Sequence, residues 1–320
     1  MLEFGYRTDM SVDVLPRVPT AARVLPSLNR GLVACVVEAR PCVQVIFLLR
    51  FVAGFVLTRP AGAAIPLGRL LIAGISWELA VVSAYLFDGV MDVVEDRLNG
   101  STRPIAAGAL SRGFAAVVSG AAALASLAGA FVLGGAYPIF VGISLVLGYA
   151  YCAPPARLKR SSRAAGATVI ICGLLTFLAG ASVYGPVRIN VDLTIFAVVM
   201  SLWMGLVGAL AKDFSDTAGD AAAGCRTTAL VRGDARARRL VARNALAVGI
   251  GFPVAAVVFA PGLTWPALAM SAGAVVVAWF TRSNLSLGSR KRRRLPYRAF
   301  MATQYAVNCA LLLTGLILPS

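Results

Sequence analysis

Roughly nine uninterrupted apolar runs, most of them about the length an α-helix needs to cross the hydrocarbon core of a bilayer, constrain this chain more than any other feature. They lie near 42–58, 68–96, 113–134, 137–152, 166–185, 193–213, 239–260, 264–281 and 297–318, with Gly, Pro or Arg between them. The runs are continuous Ala, Val, Leu and Gly, unlike the short alternating segments of a membrane β-barrel. Composition agrees: of 320 residues 59% are hydrophobic and 14% charged, and the mean hydropathy of +0.81 is far from that of a soluble domain. The expected fold is all-α, a polytopic transmembrane bundle of about nine helices around a central cavity open to the cytoplasmic side.

A net charge of +16 raises nucleic acid as a partner, and the placement of the charge argues against it. Of 30 basic residues, 26 fall in the first 40 residues and in the stretches 97–112, 157–163, 212–243 and 282–298. With nine spans these are the amino terminus and every second loop, the positive-inside pattern of a multi-pass protein of the cell membrane with a cytoplasmic amino terminus. The runs "ARARR" (235–239) and "RKRRR" (290–294) therefore read as topology signals resting on anionic headgroups. Residues 1–40 are expected to form a cytoplasmic segment with an interfacial helix over 20–41, ahead of a transmembrane domain over 41–320. The six cysteines show no CxxC pairing and read as small buried residues. Histidine is absent, which excludes His-dependent zinc sites, His-ligated haem and Ser-His-Asp hydrolysis.

Against this background the acid is concentrated. Seven of 14 carboxylates lie in two short segments: Asp88, Asp92, Glu95 and Asp96 in the first, Asp213, Asp216 and Asp220 in the second. Asp88, Asp92 and Asp96 are spaced i, i+4, i+8, and Asp213, Asp216 and Asp220 i, i+3, i+7, so each set shares one face of a helix. Both segments end an even-numbered run and belong at the cytoplasmic mouth. Acid-only ligands with no His or Cys nearby suit a hard divalent cation, Mg²⁺ above all, which shares its sphere with phosphate oxygens. Basic residues stand ready for such phosphates: Arg103, Arg157, Lys159, Lys212 and Arg226. Two ionisable residues at membrane depth, Arg50 and Glu78, are expected to pair with each other.

These stretches carry a resemblance. "DGVMDVVEDRLNGSTRPIAAGAL" resembles the first aspartate motif of the UbiA-type intramembrane prenyltransferases, "KDFSDTAGDAAAGCRTTAL" is similar to their second, and "YAYCAPPARLKR" to their Y-S-x-PP-x-RLK loop. The resemblance covers about residues 38–318. It implies that Asp88, Asp92, Asp96, Asp213, Asp216 and Asp220 hold Mg²⁺ bridging an isoprenyl diphosphate, with Arg103, Lys159, Lys212 and Arg226 on its oxygens. Asp88 stands where that family usually has Asn, and Gly89 where it often has Asp. The implied chemistry is ionisation of an allylic diphosphate in a dry cavity. Aromatic faces from Tyr85, Tyr149, Tyr151 and Trp203, with Phe87 and Phe214 as further candidates, would line the cavity and steady the cation. The expected activity is prenyl transfer to an aromatic or other small acceptor. Cyclisation of the prenyl chain, as in the family's membrane terpene cyclases, is the alternative. A transporter fits worst, because no inverted repeat is evident and the acids gather at one face of the membrane rather than its midplane.

Overall fold

A computed structural model describes residues 28–317, and all of its regular structure is helical apart from one isolated bridge between Ser161 and Arg226. In chain order the helices are α1 (Leu28–Glu38), α2 (Pro41–Leu57), α3 (Leu67–Met91), α4 (Val93–Leu98), α5 (Arg112–Leu133), α6 (Tyr137–Cys152) and α7 (Ser162–Ala181). After them come α8 (Val191–Leu202), a π-helical segment (Trp203–Gly208), α9 (Ala209–Ala222), α10 (Thr228–Arg232), α11 (Asp234–Phe259), α12 (Thr264–Arg282), α13 (Arg290–Arg293) and α14 (Leu295–Ile317). Each of the nine apolar runs is occupied by a helix. Six segments are long and apolar enough to cross a membrane, or seven if α1 and α2, bent by 67° at Arg40, are counted as one. This is fewer than the nine expected. Among the described residues the helix α6, with 16 residues, falls short by length.

Local chemistry accounts for the helix ends. Pro41 opens α2 and Pro138 sits in the first turn of α6, where a missing N–H costs nothing. The Ser111 hydroxyl accepts from Phe114 N at 3.2 Å to cap α5, and the Asn190 side chain accepts from Leu193 N at 2.8 Å to cap α8. The run expected as one helix over 68–96 is broken. At Asp92 the backbone leaves helical geometry (φ −96°, ψ 15°), and α4 starts again from the same residue.

Lipid offers no hydrophobic drive between helices, so close packing and interhelical hydrogen bonds hold the bundle. Gly54 on α2 and Gly180 on α7 let two backbones cross: a Cβ at Gly54 would overlap Phe177 O, and one at Gly180 would overlap Phe51 O. Between α3 and α5, Ser76 donates to Ser126 O at 2.7 Å and Ser83 to Ser119 O at 2.7 Å. Two large apolar clusters result, one built on α2, α3, α5, α6 and α7, the other on α7, α8, α9, α11, α12 and α14, with a smaller third where α1, α3, α4 and α5 meet. The expected pair of Arg50 and Glu78 is not formed. Arg50, fully buried, donates to Met200 O (2.7 Å) and Gln304 Oε1 (2.6 Å), because α14 brings a side-chain oxygen closer than α3 does.

Candidate active site

The two acidic segments meet because a glycine lets them. Gly219 on α9 packs against α4 so tightly that an added Cβ would overlap the Asn99 amide, and Gly219 N donates to Asn99 Oδ1 at 2.8 Å. Arg290 ties the same junction from α13, donating to Asp216 Oδ1 (3.1 Å) and Gly100 O (3.2 Å). Behind it Arg293 donates to Phe214 O at 2.6 Å and pairs with Asp234 at 2.8 Å. Two members of the "RKRRR" run therefore hold the second acidic segment from behind, which is more than a headgroup contact.

A pocket of about 210 Å³ lies between the two apolar clusters, polar at one end and apolar beyond. Its polar end is lined by Asp88, Glu95, Asp213 and Asp220 together with Arg40, Lys159 and Lys212. Its apolar walls include Phe47, Val81, Met204, Leu210, Phe300 and Met301, with Tyr85, Tyr151 and Tyr297 near the boundary. Every carboxylate of the first set meets a base. Asp88 lies 3.5 Å from Arg40 and 4.0 Å from Arg103, Asp96 lies 2.8 Å from Arg103, and Asp92 pairs with Lys159. Burial pushes the Lys159 ammonium down from the ordinary lysine value, against the pull of Asp88. Among the described residues Asp213 and Asp220 meet no ion-pair partner at all.

The sequence candidates thus divide. Asp88, Asp213, Asp220, Lys159, Lys212, Tyr85 and Tyr151 line the pocket. Asp92 and Asp96 stand beside it, engaged by Lys159 and Arg103, and Asp216 is turned toward Arg290 and Ser215. Arg103 is an internal strut with its side chain 12% exposed, and Arg226 is exposed, tied by its backbone N to Arg160 O. Tyr149 and Trp203 lie outside the pocket lining. The Tyr149 hydroxyl is 2.9 Å from Ser83 Oγ with its ring against Phe87, and Trp203 is buried between helices with its N–H toward Phe300 O at 3.4 Å. Sequence reasoning missed Arg40. It stands at the α1–α2 elbow in left-handed geometry (φ 60°), read beforehand as one more topology charge. Only the R-P step at 40–41 hinted that the chain turns there.

Would these residues suit Mg²⁺? Among the described residues no three carboxylates converge into a closed cage. The donor set is nevertheless all oxygen, and Mg²⁺ asks for only one or two carboxylates with water and phosphate completing its octahedron. Asp213 and Asp220, which have no ion-pair partner among the described residues and line the same pocket as Asp88, meet that requirement.

Known proteins resemble this chain in sequence and in fold. A homogentisate phytyltransferase of Synechocystis sp. is 36% identical over 138 residues, 40% of this chain and 44% of its own length. A digeranylgeranylglyceryl phosphate synthase of Methanothermobacter thermautotrophicus is 32% identical over 165 residues, 51% of this chain and 56% of its own. The chain spans about half the length of the curated relatives it matches. The solved structure of a UbiA homologue from Archaeoglobus fulgidus bound to GPP and Mg²⁺ superposes with a TM-score of 0.64 at 19% identity, covering 86% of this chain and 99% of that one, a likeness of fold. Residues 45–304, most of the chain, match the UbiA prenyltransferase family, and this integral, multi-pass membrane protein belongs to it.

Proposed function

We propose that the protein transfers an isoprenyl group from a prenyl diphosphate to an aromatic or other small acceptor, with Mg²⁺, in a cavity open to the cytoplasmic side of the cell membrane. The observation that carries the reading is the division of one pocket into a polar end, where three cations stand among four carboxylates, and an apolar body. The polar end suits a diphosphate and the body a hydrocarbon tail. The two curated relatives, a homogentisate phytyltransferase and a digeranylgeranylglyceryl phosphate synthase, support transfer over cyclisation.

Mg²⁺ bound through Asp213 and Asp220 on one side and Asp88 on the other would supply Lewis-acid neutralisation of the leaving diphosphate. The remaining work belongs to the chain. Lys212, Lys159 and Arg40 receive the anionic oxygens, and because they are already placed, no reorganisation is needed as charge builds on the leaving group. Phe47, Met204 and Phe300 hold the tail and exclude the water that would quench an allylic cation. The Tyr85 and Tyr151 rings stand where the polar and apolar parts meet and offer that cation their π faces.

The test is direct. Purified protein is incubated with Mg²⁺ and C10, C15 or C20 prenyl diphosphate, with and without a panel of phenolic and polyol acceptors, and products are followed by mass spectrometry. Prenylated acceptor is the expected outcome. Cyclic hydrocarbon or terpene alcohol without acceptor would replace transfer by cyclisation, and no Mg²⁺-dependent diphosphate release under any condition would sink both.

A further inference from the structure

Glu38 is a fully buried carboxylate that the proposed reaction does not use. Its Oε2 accepts from Ile105 N at 2.9 Å, its Oε1 stands 2.8 Å from Arg103 Nη2, and its backbone carbonyl accepts from that same Nη2 at 3.1 Å. The other end of the guanidinium, Nη1, faces Asp96 at 2.8 Å and Asp88 at 4.0 Å. One arginine is therefore held between a carboxylate outside the pocket lining and two carboxylates of the first aspartate set. Gly89 on α3 makes the room. An added Cβ there would overlap Glu38 Oε1 and lie 2.8 Å from Arg103 Nη2.

Charge decides what this arrangement does. Arg40, Arg103 and Lys159 stand within ion-pair range of Asp88, Asp92 and Asp96, and Lys212 lines the same polar end, so base draws heavily on the charge of these aspartates. Glu38 supplies a fourth negative charge and claims the Nη2 edge of Arg103. With one edge of Arg103 taken up by Glu38, Asp88 and Asp96 keep more of their own charge, and a hard dication is drawn to carboxylates in proportion to the charge left on them. Burying a carboxylate beside one guanidinium is costly unless its remaining lone pairs are satisfied, and Ile105 N satisfies one of them. We infer that Glu38 is a positioning residue, holding Arg103 so that the first aspartate set keeps charge free for a divalent cation. The inference rests on the Mg²⁺-dependent reading above.

The experiment uses Mn²⁺ as a spectroscopic substitute, its binding to the purified full-length protein followed by electron paramagnetic resonance in the presence of inorganic pyrophosphate. Glu38→Gln keeps the side chain's length and the bond from Ile105 N but removes the charge. The Mn²⁺ midpoint should rise at least tenfold, while kcat at saturating metal stays within threefold of wild type. Gly89→Ala, which displaces the carboxylate without removing it, should move the midpoint the same way. The double variant Glu38→Ala/Gly89→Asp returns a carboxylate to Arg103 from the other side and should recover most of the affinity, which a purely structural role would not allow. Unchanged midpoints in Glu38→Gln and Gly89→Ala, no recovery in the double variant, or a wild-type protein that binds no Mn²⁺ would each overturn the inference. If Glu38→Gln fails to fold, Gly89→Ala and the double variant decide. Wild-type protein that binds Mn²⁺ yet turns over no prenyl diphosphate would instead count against the proposed function and leave the metal result standing.

Discussion

Asp213 and Asp220 differ from the other motif aspartates in having no basic partner among the described residues, although both line the pocket beside Lys212. Unpaired carboxylates at this depth are expensive, so a group that persists there is expected to meet a cation during function. Asp213→Asn and Asp220→Asn, nearly isosteric but poor Mg²⁺ ligands, should each lower kcat/KM at least a hundredfold, about 2.7 kcal/mol of transition-state stabilisation, while the protein still inserts and melts normally. A rate within tenfold of wild type for either would remove it from the metal site. Asp88 is a different case. Its carboxylate sits between Arg40 at 3.5 Å and Arg103 at 4.0 Å, distances too long for a tight pair, so an amide oxygen would do much the same work. In a Mg²⁺ titration of initial rate at saturating prenyl diphosphate, Asp88→Asn should raise the Mg²⁺ midpoint yet keep the rate at saturating metal within about tenfold, less than about 1.4 kcal/mol. A hundredfold loss would show the extra anion to be part of the reaction. The carboxylates themselves were legible in the sequence because seven of the 14 lie in two short segments. Which of them point into the pocket was not, because Arg290, a residue 74 positions further along, draws Asp216 aside.

At the level of elements, apolar periodicity located every helix of the bundle but not the breaks within them. The interruption at Asp92 and the π segment at Trp203–Gly208 are not set apart in the sequence, since both fall inside runs of the length and apolarity of a single span. Tyr149 and Trp203 were misplaced for a related reason: a motif neighbour on a helix can face either way, and serines on α3 and α5 claim the Tyr149 hydroxyl. The glycines tell the helices apart. Gly180→Ala, at the α2–α7 crossing where a methyl would strike Phe51 O, should destabilise the bundle by about 1–3 kcal/mol, the range for overpacking. Gly120→Ala on α5, where a methyl meets nothing within 4 Å, is the matched control and should be neutral or slightly stabilising. Unfolding by SDS titration in mixed micelles reads both, and equal midpoints for the two variants would disprove the close crossing. Gly219→Ala should separate the two measures, costing turnover more than stability because it pries the acidic segments apart where Asn99 now meets the Gly219 backbone.

For the whole molecule, the contacts sort the loops into two ends. Asp92 with Lys159, Ser161 with Arg226, Arg290 with Asp216 and Gly100, and Arg293 with Asp234 gather the 92–112, 153–161, 223–233 and 283–294 connections at the site end. At the other end Arg69 donates to Val183 O at 2.7 Å and to Leu133 O at 3.3 Å, and Asn190 to Leu57 O at 2.8 Å. The short helix α6 starts near that far end, where the Tyr137 hydroxyl donates to Ala73 O, and finishes at Cys152 beside the site. Likewise α14 starts beside α13 and ends with Gly315 against Val56. Both helices therefore run the length of the bundle, and α6, the shorter, at 1.5 Å per residue reaches about 24 Å, enough with local thinning of the bilayer. Basic residues follow the same division, with Arg59, Arg69 and Arg188 alone in the far-end loops, so the site end should face the cytoplasm. In a background lacking the exposed Cys42 and Cys309, single cysteines replacing Ala235 and Lys291 should react with an impermeant maleimide only in inside-out vesicles, and one replacing Ala61 only in intact cells. If Ala235→Cys and Lys291→Cys label on opposite sides, α11 and α12 do not form a hairpin across the membrane and the shared site end is wrong. If both label from outside, the fold stands but the diphosphate would have to arrive from the wrong side of the membrane, and the proposed transferase would lose its cytoplasmic substrate.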